Sequence, residues 1–283
     1  MDEIILDAFG KINLALDVLY KRHDGYHEIN TIMQQIDLKD TIILRNRPKG
    51  ISIQCDDNRI PTDERNLVYK AWEKMVEETK KERGLEVIIK KRIPPSAGLA
   101  GGSTDAAAVL KGLNILWDLN MSQKELMEIG RGIGADVPFC ILGGTAQAKG
   151  IGERLKSLKG FSNKLILLAN IGIEISTKYV YENLNLKRKG SPIDIDQIAK
   201  YIEEDNLIGL AKNMVNILET VVVKEYPIIE EIKKEMLEEG ALGSLMSGSG
   251  PTVFGIFDDE DKLNRCKKVL EKKIDMVIAT KTI

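Results

Sequence analysis

The chain has 283 residues, of which 43% are hydrophobic and 30% are charged, a composition typical of a globular protein and long enough for two domains. Its formal net charge is −2, so no basic excess indicates nucleic-acid binding, and an anionic ligand must be held by a few local cations and backbone amides. Asp7, Lys11 and Asp17 interrupt the apolar N-terminal stretch, so we expect neither a signal peptide nor a membrane span there.

The three cysteines, Cys55, Cys140 and Cys266, lie far apart in the sequence and form no C-x-x-C pair. This spacing argues against a disulfide framework and against a zinc knuckle. We therefore expect a protein of the reducing cytoplasm.

The first sixty residues predict a β-rich start, with strands in EIILDAF, INLALDVLY, TIMQQIDL, DTIILR and GISIQC. From Asn66 onward, apolar residues at helical spacing predict a long helix, and LEVIIKKRI then predicts a return to strand. The next segment, PPSAGLAGGSTDAAAVL, therefore leaves a strand and enters a helix.

This segment, residues 94–110, is rich in glycine before its helix. Its glycines allow a tight fold, and the helix that starts at Ser103 offers free N–H groups and a dipole to an anion. The segment lacks the Lys-Ser/Thr end of the P-loop and does not match G-x-G-x-x-G. A tight strand-to-helix turn without any ligand is the alternative.

Further along the chain, Ser122 and Glu125 predict a helix-starting capping box, and GGTAQAKGIGERLKSL predicts a hairpin. A polar stretch follows, which places a domain boundary near residue 160 and predicts domains over residues 1–160 and 161–283. The second half predicts extra helices through about residue 239 within a β-α-β-β-α-β order, the split βαβ arrangement.

Three polar residues stand in surroundings that could aim them at a ligand. Asp136 precedes Val137-Pro138, and the proline predicts that Val137 leaves helical geometry and fixes the carboxylate at a bend; a turn or cap aspartate is the alternative. Lys11 lies in an apolar strand, where a solvated edge lysine is the alternative. Asn13 shares its strand face by the period-two rule, unless it marks a bulge or an edge.

Other candidates have simple structural explanations. His23 and His27 have a metal-compatible spacing only in a helix, which the Asp24-Gly25 turn disfavours, so a surface hairpin is the default. Tyr181 has helical spacing typical of a core residue. Asn66 can be a helix cap, and SGSGPTVF can be an ordinary hairpin turn.

The string PPSAGLAGGSTDAAA resembles the phosphate-binding motif of the GHMP kinase superfamily, which binds ATP with this loop in place of a P-loop. The stretches AFGKINLALDVL and LMSGSGPTVFG resemble the first and third motifs of the superfamily, so the resemblance covers nearly the whole chain. It implies an α+β, two-domain fold: an N-terminal ribosomal-protein-S5-domain-2-like β/α domain and a C-terminal ferredoxin-like domain.

The resemblance implies an ATP-dependent kinase and assigns roles to residues. Asp136 would take the proton from the acceptor hydroxyl, and Lys11 beside it would keep it ionised and balance charge on the moving phosphoryl group. Ser103 would contact Mg²⁺ carried by ATP. The implied ATP-binding residues are Pro94, Pro95, Ser96, Ala97, Gly98, Leu99, Ala100, Gly101, Gly102, Ser103 and Thr104, with Asn66 and Leu67 bordering adenine and the third motif, Ser247, Gly248, Ser249 and Gly250, near the phosphates.

Within the superfamily, one branch of kinases acts in the non-mevalonate isoprenoid pathway. The stretches KINLALDVLYKRHDGYHEIN and GIGADVPFCILGGTAQAKGIGE are similar to that branch. That branch phosphorylates the 2-hydroxyl of a cytidine-diphosphate-linked methylerythritol. The resemblance implies that Tyr26 stacks on cytosine, that His27 makes polar contacts, that Tyr181 covers the opposite face and that Asn13 contacts the substrate. We expect small-molecule partners only, no nucleic acid or membrane, and a monomer or weak homodimer.

Three alternatives stay open at this point. A homoserine- or mevalonate-type kinase would share the loop, although DGYH argues against it. A non-catalytic ATP or sugar sensor would not need both Lys11 and Asp136. No feature of the sequence requires a decarboxylating relative.

Overall fold

The computed structural model describes residues 2–81, 83–186 and 193–283, and the chain divides into two compact units. The first unit comprises Met1–Gly10, Leu38–Pro95 and Ala100–Gly143, and the second comprises Lys11–Asp37, Ser96–Leu99 and Gly144–Ile283. The units follow spatial proximity and not chain order. The domain boundary near residue 160 therefore stays a prediction.

The strands follow apolar runs in the sequence. They are β1 (Glu3–Lys21), β2 (His27–Arg47), β3 (Ile51–Cys55), β4 (Gly84–Lys90), β5 (Thr145–Gly150), β6 (Arg154–Ser157), β7 (Leu165–Asn170), β8 (Val215–Asn216), β9 (Gly243–Met246), β10 (Val253–Phe257) and β11 (Met276–Lys281). The separate strands predicted within β1 and within β2 were wrong, because each pair is one continuous strand. Gly10 supplies no turn, and the charge of Asp40 is tolerated inside β2 because Lys91 pairs with it.

The helices mostly carry an apolar stripe. They are α1 (Leu67–Thr79), α2 (Gly101–Leu116), α3 (Gln123–Arg131), α4 (Val137–Leu142), α5 (Thr177–Glu182), α6 (Ile195–Glu203), α7 (Leu207–Asn213), α8 (Glu219–Glu225), α9 (Ile228–Glu238) and α10 (Glu260–Leu270). The helical region predicted through about residue 239 includes 187–192, which lie outside the described residues. Among the described residues, no helix is both long and apolar enough to cross a membrane.

The first unit places α1 to α4 beside a small sheet. In that sheet β4 pairs antiparallel with the second half of β2, from Thr41 opposite Lys90, and parallel with β3, from Ile51 opposite Leu85. The small residues of α2 permit close packing: a Cβ at Gly112 would lie 2.2 Å from Leu44 Cδ1. This packing fixes α2, and with it the helical end of the predicted phosphate loop.

Helix starts in the first unit agree closely with the sequence. The capping box predicted at Ser122 and Glu125 is confirmed, since both of its reciprocal bonds are present. Helix α2 begins at Gly101, two residues before the predicted Ser103, because Ala100 adopts a left-handed conformation and turns the chain there. Gly101 and Gly102 therefore belong to the first helical turn.

The second unit contains two sheet regions. The first half of β2 pairs antiparallel with β5, which forms the predicted hairpin with β6. The short β8 pairs parallel with β1 at Ala15 and Leu16. The middle of β1 and the strand β8, which α8 follows in the chain, therefore belong to the same unit.

The other sheet of the second unit is four-stranded and antiparallel, in the order β11-β7-β10-β9. Helices α9 and α10 supply buried residues to its core, among them Met236 and Leu270, which cluster with Leu167, Ala169 and Phe257. This arrangement confirms the predicted split βαβ order, with α9 between β7 and β9 and α10 between β10 and β11.

Candidate active site

In the second unit, β1 carries a buried amine and a buried amide on one face. Lys11 is only 4% exposed and Asn13 only 3% exposed, and Lys11 Nζ donates to Asn13 Oδ1 at 2.6 Å. Asn13 Nδ2 donates to Thr31 Oγ1 at 2.9 Å, and that hydroxyl donates to the Ala15 carbonyl at 2.6 Å. The prediction that Lys11 and Asn13 share a face is confirmed, and the alternative of a solvated edge lysine is wrong.

The non-helical part of the predicted phosphate loop, Ser96–Leu99, lies against the first and third motifs within the second unit. Gly98 has a φ of +74°, and a Cβ there would lie 2.2 Å from the Ser247 carbonyl oxygen, so no larger residue fits. Ser247 Oγ donates to the Gly98 carbonyl at 2.9 Å. The Lys11 amide donates to the Leu99 carbonyl at 3.0 Å. Segments of all three motifs therefore meet around Gly98.

The third motif continues this contact. A Cβ at Gly248 would lie 3.2 Å from the Gly98 carbonyl oxygen and 3.5 Å from Asn13 Oδ1. The hydroxyl of Ser249 lies 2.8 Å from that of Thr177, the first residue of α5. The motif is thus joined to the helix that carries Tyr181.

The helical part of the loop lies in the first unit. No side chain caps the start of α2, where Ala100 is the N-cap, so the first-turn N–H groups of Gly101, Gly102 and Ser103 remain for a ligand. Thr104 Oγ1 donates to the Phe9 carbonyl at 2.7 Å and anchors this turn to β1. The arrangement suits an anion, as the sequence predicted.

Asn66 and Leu67 lie at the start of α1. Asn66 Oδ1 accepts from the Val68 amide at 2.9 Å. Asn66 therefore caps α1, the structural role that was the alternative for it. A Cβ at Gly102 would lie 3.7 Å from Leu67 Cδ1, which puts Leu67 beside the first turn of α2.

Asp136 is the N-cap of α4, with φ −86° and ψ −12° and no capping bond from its side chain. The predicted non-helical bend was wrong, because Val137 is the first residue of α4 and Pro138 the second. A proline in the first helical turn removes only an N–H that has no helical acceptor, so it does not break the helix there.

Sequence reasoning missed a buried ion cluster beneath the start of α2. Lys91 Nζ lies 2.5 Å from Asp40 Oδ2 and 2.8 Å from Asp105 Oδ2, and these three side chains are at most 5% exposed. Asp40 Oδ1 also accepts from the amides of Arg92 and Ile93. Asp105 belongs to the motif string PPSAGLAGGSTDAAA, but nothing in the sequence pairs it with Asp40, 65 positions earlier.

The charges of this cluster are strongly coupled. Burial raises the pKa of Asp105 to about 7, against the attraction of Lys91. Burial alone would lower the pKa of Lys91, but the charges of Asp105 and Asp40 outweigh it and raise that pKa. Lys91 therefore stays protonated and bridges the two carboxyl groups.

At the other predicted subsite, His27 and Tyr181 face each other within the second unit. Their ring centroids are 5.1 Å apart and the rings are tilted by 38°. Burial, and then the charge of Lys21, lower the pKa of His27, so its imidazole is neutral near pH 7 and can both donate and accept. Tyr26 is 60% exposed, and Gly25 at φ +88° confirms the predicted turn before it.

Tyr181 also packs, half-buried, against the core of the second unit, as its helical spacing indicated. Among the described residues no group of three or more His, Cys, Asp or Glu side chains could hold a metal.

Two family models match: GHMP kinases N terminal domain over residues 66–144, and GHMP kinases C terminal over residues 194–275. Together with the split βαβ sheet and the loop at the start of α2, these matches define the class of protein as a GHMP kinase.

Over 260 residues the chain is 51% identical to the 4-diphosphocytidyl-2-C-methyl-D-erythritol kinase of Acetivibrio thermocellus, covering 92% of each sequence. A crystal structure of 4-(cytidine 5'-diphospho)-2C-methyl-D-erythritol kinase matches with a TM-score of 0.84 and 31% identity over 99% of each chain. The chain belongs to the family of 4-diphosphocytidyl-2-C-methyl-D-erythritol kinases, which are ATP-dependent. The predicted fold class and family are confirmed.

Homoserine kinase from Cytophaga hutchinsonii is similar with a TM-score of 0.76 at 21% identity, covering 100% of this chain and 95% of that one. At this identity the similarity shows a shared fold alone. The fold by itself therefore does not select the alcohol that is phosphorylated.

Proposed function

We propose that this kinase transfers the γ-phosphoryl group of ATP to the 2-hydroxyl of 4-diphosphocytidyl-2-C-methyl-D-erythritol, in the non-mevalonate route to isoprenoid precursors. The observation that carries the proposal is the meeting of Lys11, Leu99 and Ser247 around Gly98. Identity of 51% to a relative of that name supports the choice of substrate.

ATP would bind along residues 94–104, with Asn66 and Leu67 bordering adenine. The uncapped first turn of α2 supplies N–H groups and the positive end of a helix dipole for the phosphates. Because the chain carries a net charge of −2, this local arrangement and not a general positive field would attract the nucleotide.

Asp136 would accept the proton of the substrate hydroxyl, and Lys11 would balance negative charge on the transferred group. Burial places the Lys11 amine in a region of low dielectric, where a cation acts more strongly than in water. Phosphoryl transfer requires little covalent chemistry from the protein, so positioning and electrostatics would account for most of the rate enhancement.

Mg²⁺ fits this site as an ion carried by ATP. The described residues offer no carboxylate cage, and Mg²⁺ commonly keeps few protein ligands when phosphates bind it. Ser103 would be its protein ligand. When bound, Mg²⁺ would neutralise charge on the phosphate oxygens.

The cytidine end of the substrate would bind at His27 and Tyr181, with Tyr26 beside them and Asn13 contacting the substrate. Aromatic rings stack on any base, whereas a neutral imidazole adds hydrogen bonds that can select cytosine. Thr177 connects this subsite to Ser249 of the third motif, which would align the two ends of the substrate.

We also propose a reducing, cytoplasmic setting and a monomer or weak homodimer. None of the three cysteines forms a disulfide, and burial raises the pKa of Cys266 to about 12, which makes that thiol inert. Sedimentation at several protein concentrations would test the oligomeric state.

The test of function is a coupled ADP-release assay with ATP and Mg²⁺. The cytidine-diphosphate methylerythritol substrate is offered beside mevalonate, homoserine and galactose. We expect turnover with the cytidine compound only. Turnover with another alcohol would refute the substrate, ATP binding without turnover would favour a sensor, and release of carbon dioxide would indicate a decarboxylase.

The role of Asp136 is tested in the same assay. Asp136→Asn keeps the shape of the side chain but removes the base, so we expect kcat to fall about a hundredfold or more. Asp118→Asn, at an exposed residue of the first unit, is the matched control and should leave kcat unchanged. Near-normal turnover of Asp136→Asn would show that Asp136 only orients the hydroxyl.

A further inference from the structure

Asn216 is a buried amide at the end of β8, and neither the motifs nor the comparisons assign it a role. It is 3% exposed. Its Nδ2 donates to the Met246 carbonyl at 2.8 Å and to the Gly248 carbonyl at 2.7 Å, and its Oδ1 accepts from the Leu218 amide at 3.0 Å. Both hydrogens of the amide group are thus used on two different carbonyls of one loop.

These two carbonyls set the orientation of the third motif. In a planar trans peptide the carbonyl oxygen and the following N–H point to opposite sides. Because the Gly248 carbonyl is directed at Asn216, the Ser249 N–H is directed away from it. Gly248 has a φ of +56°, so this peptide lies in a conformation that the loop sequence permits but does not by itself select.

A second side chain holds the same loop from the start of α8. Glu219 Oε1 accepts from the Met246 amide at 2.7 Å, while Glu219 Oε2 accepts from Lys233 Nζ at 2.7 Å. Met246 is therefore held through both its N–H and its carbonyl. Of these two side chains, Asn216 is the one that reaches Gly248, inside the motif, so it is the contact that controls the turn itself.

The position of this turn is passed to the phosphate loop by direct packing. Ser247 Oγ donates to the Gly98 carbonyl, and a Cβ at Gly98 would collide with the Ser247 carbonyl oxygen. The two backbones are in van der Waals contact with no space between them. A shift of the third motif must therefore displace Gly98, and misplacement of about 1 Å at such a site can cost a hundredfold in rate.

We propose that Asn216 is a positioning residue for phosphoryl transfer: it fixes the 248–249 peptide, on which Ser96–Leu99 rests, and so determines the affinity for ATP. This inference depends on the proposed function only in taking Ser96–Leu99 as part of the ATP site. Gly98 packs directly on the third motif, whereas the cytidine subsite is joined to it through the exposed hydroxyl pair of Thr177 and Ser249, so the affinity for the cytidine substrate should be much less affected.

The test is Asn216→Asp, which is nearly isosteric but replaces the amide nitrogen, the donor to two carbonyl oxygens, by a carboxylate oxygen that faces them both. We expect the KM and the Kd for ATP to rise about tenfold or more, because two buried carbonyls lose their donors. The KM for the cytidine substrate should change less than about twofold. Asn213→Asp, at an exposed asparagine of α7, is the matched control and should change neither constant.

The pH profile provides a readout that a general loss of structure would not give. A protonated carboxyl group can donate one of the lost bonds, so the ATP defect of Asn216→Asp should shrink as the pH falls. Glu219, Lys233 and Glu230 are charged side chains near the loop, but they are present in both proteins, so their contribution cancels in the ratio of wild type to variant.

If Asn216→Asp does not fold, Asn216→Ser decides by the same criterion, because it adds no charge and keeps one short donor; an intermediate ATP affinity is expected. An ATP Kd within about twofold of wild type for a folded variant overturns the proposal, as does an equal loss of both substrates. Absence of turnover in the wild type would instead refute the proposed function, since the ATP Kd is measured without turnover.

Discussion

The helical and non-helical parts of the predicted phosphate loop are held by different chemistry. In the first unit, the start of α2 rests on the buried ions of Lys91, Asp40 and Asp105. In the second unit, Ser96–Leu99 directly contacts neutral groups, the backbone of the third motif and the Ser247 hydroxyl. The Asn216 amide and the Glu219 carboxylate lie behind them.

The difference lies in what each support depends on. A buried ion cluster is sensitive to protonation, and removing one member leaves an uncompensated charge. A neutral network does not titrate, but it demands that every donor meet its acceptor and that the backbones fit. We therefore expect changes to the ion cluster to affect mainly the free energy of unfolding, and changes to the neutral network to affect mainly catalysis.

The largest effect is expected from Lys91→Met, which removes the cation and leaves two buried carboxyl groups facing each other. The free energy of unfolding should fall by about 3–5 kcal/mol, as measured by denaturant unfolding. Lys74→Met removes an exposed lysine paired with Glu77 and should leave the free energy of unfolding nearly unchanged. Equal losses in the two variants would contradict the ion-cluster interpretation.

A second prediction concerns pH. The pKa of Asp105 is about 7 in the folded protein and near its ordinary value of 3.8 in the unfolded chain. Between these values the folded state retains a proton that the unfolded chain has lost, so this group destabilises the fold as pH rises, by up to about 1.4 kcal/mol per pH unit. The contribution is constant below about pH 4 and above about pH 7.

Asp105→Asn removes this titration. We expect its free energy of unfolding to rise relative to the wild type as the pH is raised from about 4 to about 7, with no further change above. Urea unfolding at several pH values measures the difference. A difference that is flat across this range would show that Asp105 is ionised throughout and that the cluster is a simple ion pair.

In the second unit, Gly98→Ala should reduce kcat/KM for ATP more than tenfold. The new Cβ would meet the Ser247 carbonyl oxygen, and the residue would also keep a positive φ. Gly144→Ala separates these causes, because Gly144 has a φ of +65° but no heavy atom within 4 Å of the added Cβ. Similar losses at both positions would mean that backbone conformation, and not contact between the two loops, matters.

The smallest effect is expected from Thr31→Val, which removes a buried hydroxyl of nearly the same shape. The Asn13 amide and the Ala15 carbonyl would then each lose a hydrogen-bond partner. The free energy of unfolding should fall by about 1 kcal/mol, and the KM for the substrate should rise several-fold. Thr220→Val, at an exposed hydroxyl, is the control. An unchanged KM would show that Asn13 does not need this support.

The sequence predicted much of the fold because its patterns are local. Apolar runs located the strands, and the Ser122–Glu125 pair located a helix start to the residue. The errors were also local: the continuous β1 and β2, and the helical Val137, arose where long-range pairing or first-turn geometry overrode a turn or proline preference.

The sequence by itself determined the family and the candidate residues, because the motifs are specific strings and Lys11 and Asn13 share a face by strand period alone. Only the tertiary structure decided what supports them. Lys91 meets Asp40 and Asp105, and Asn216 meets Gly248, across 14 to 51 positions of the chain. Contacts between residues so distant in sequence arise from strand pairing and core packing, which no local pattern specifies.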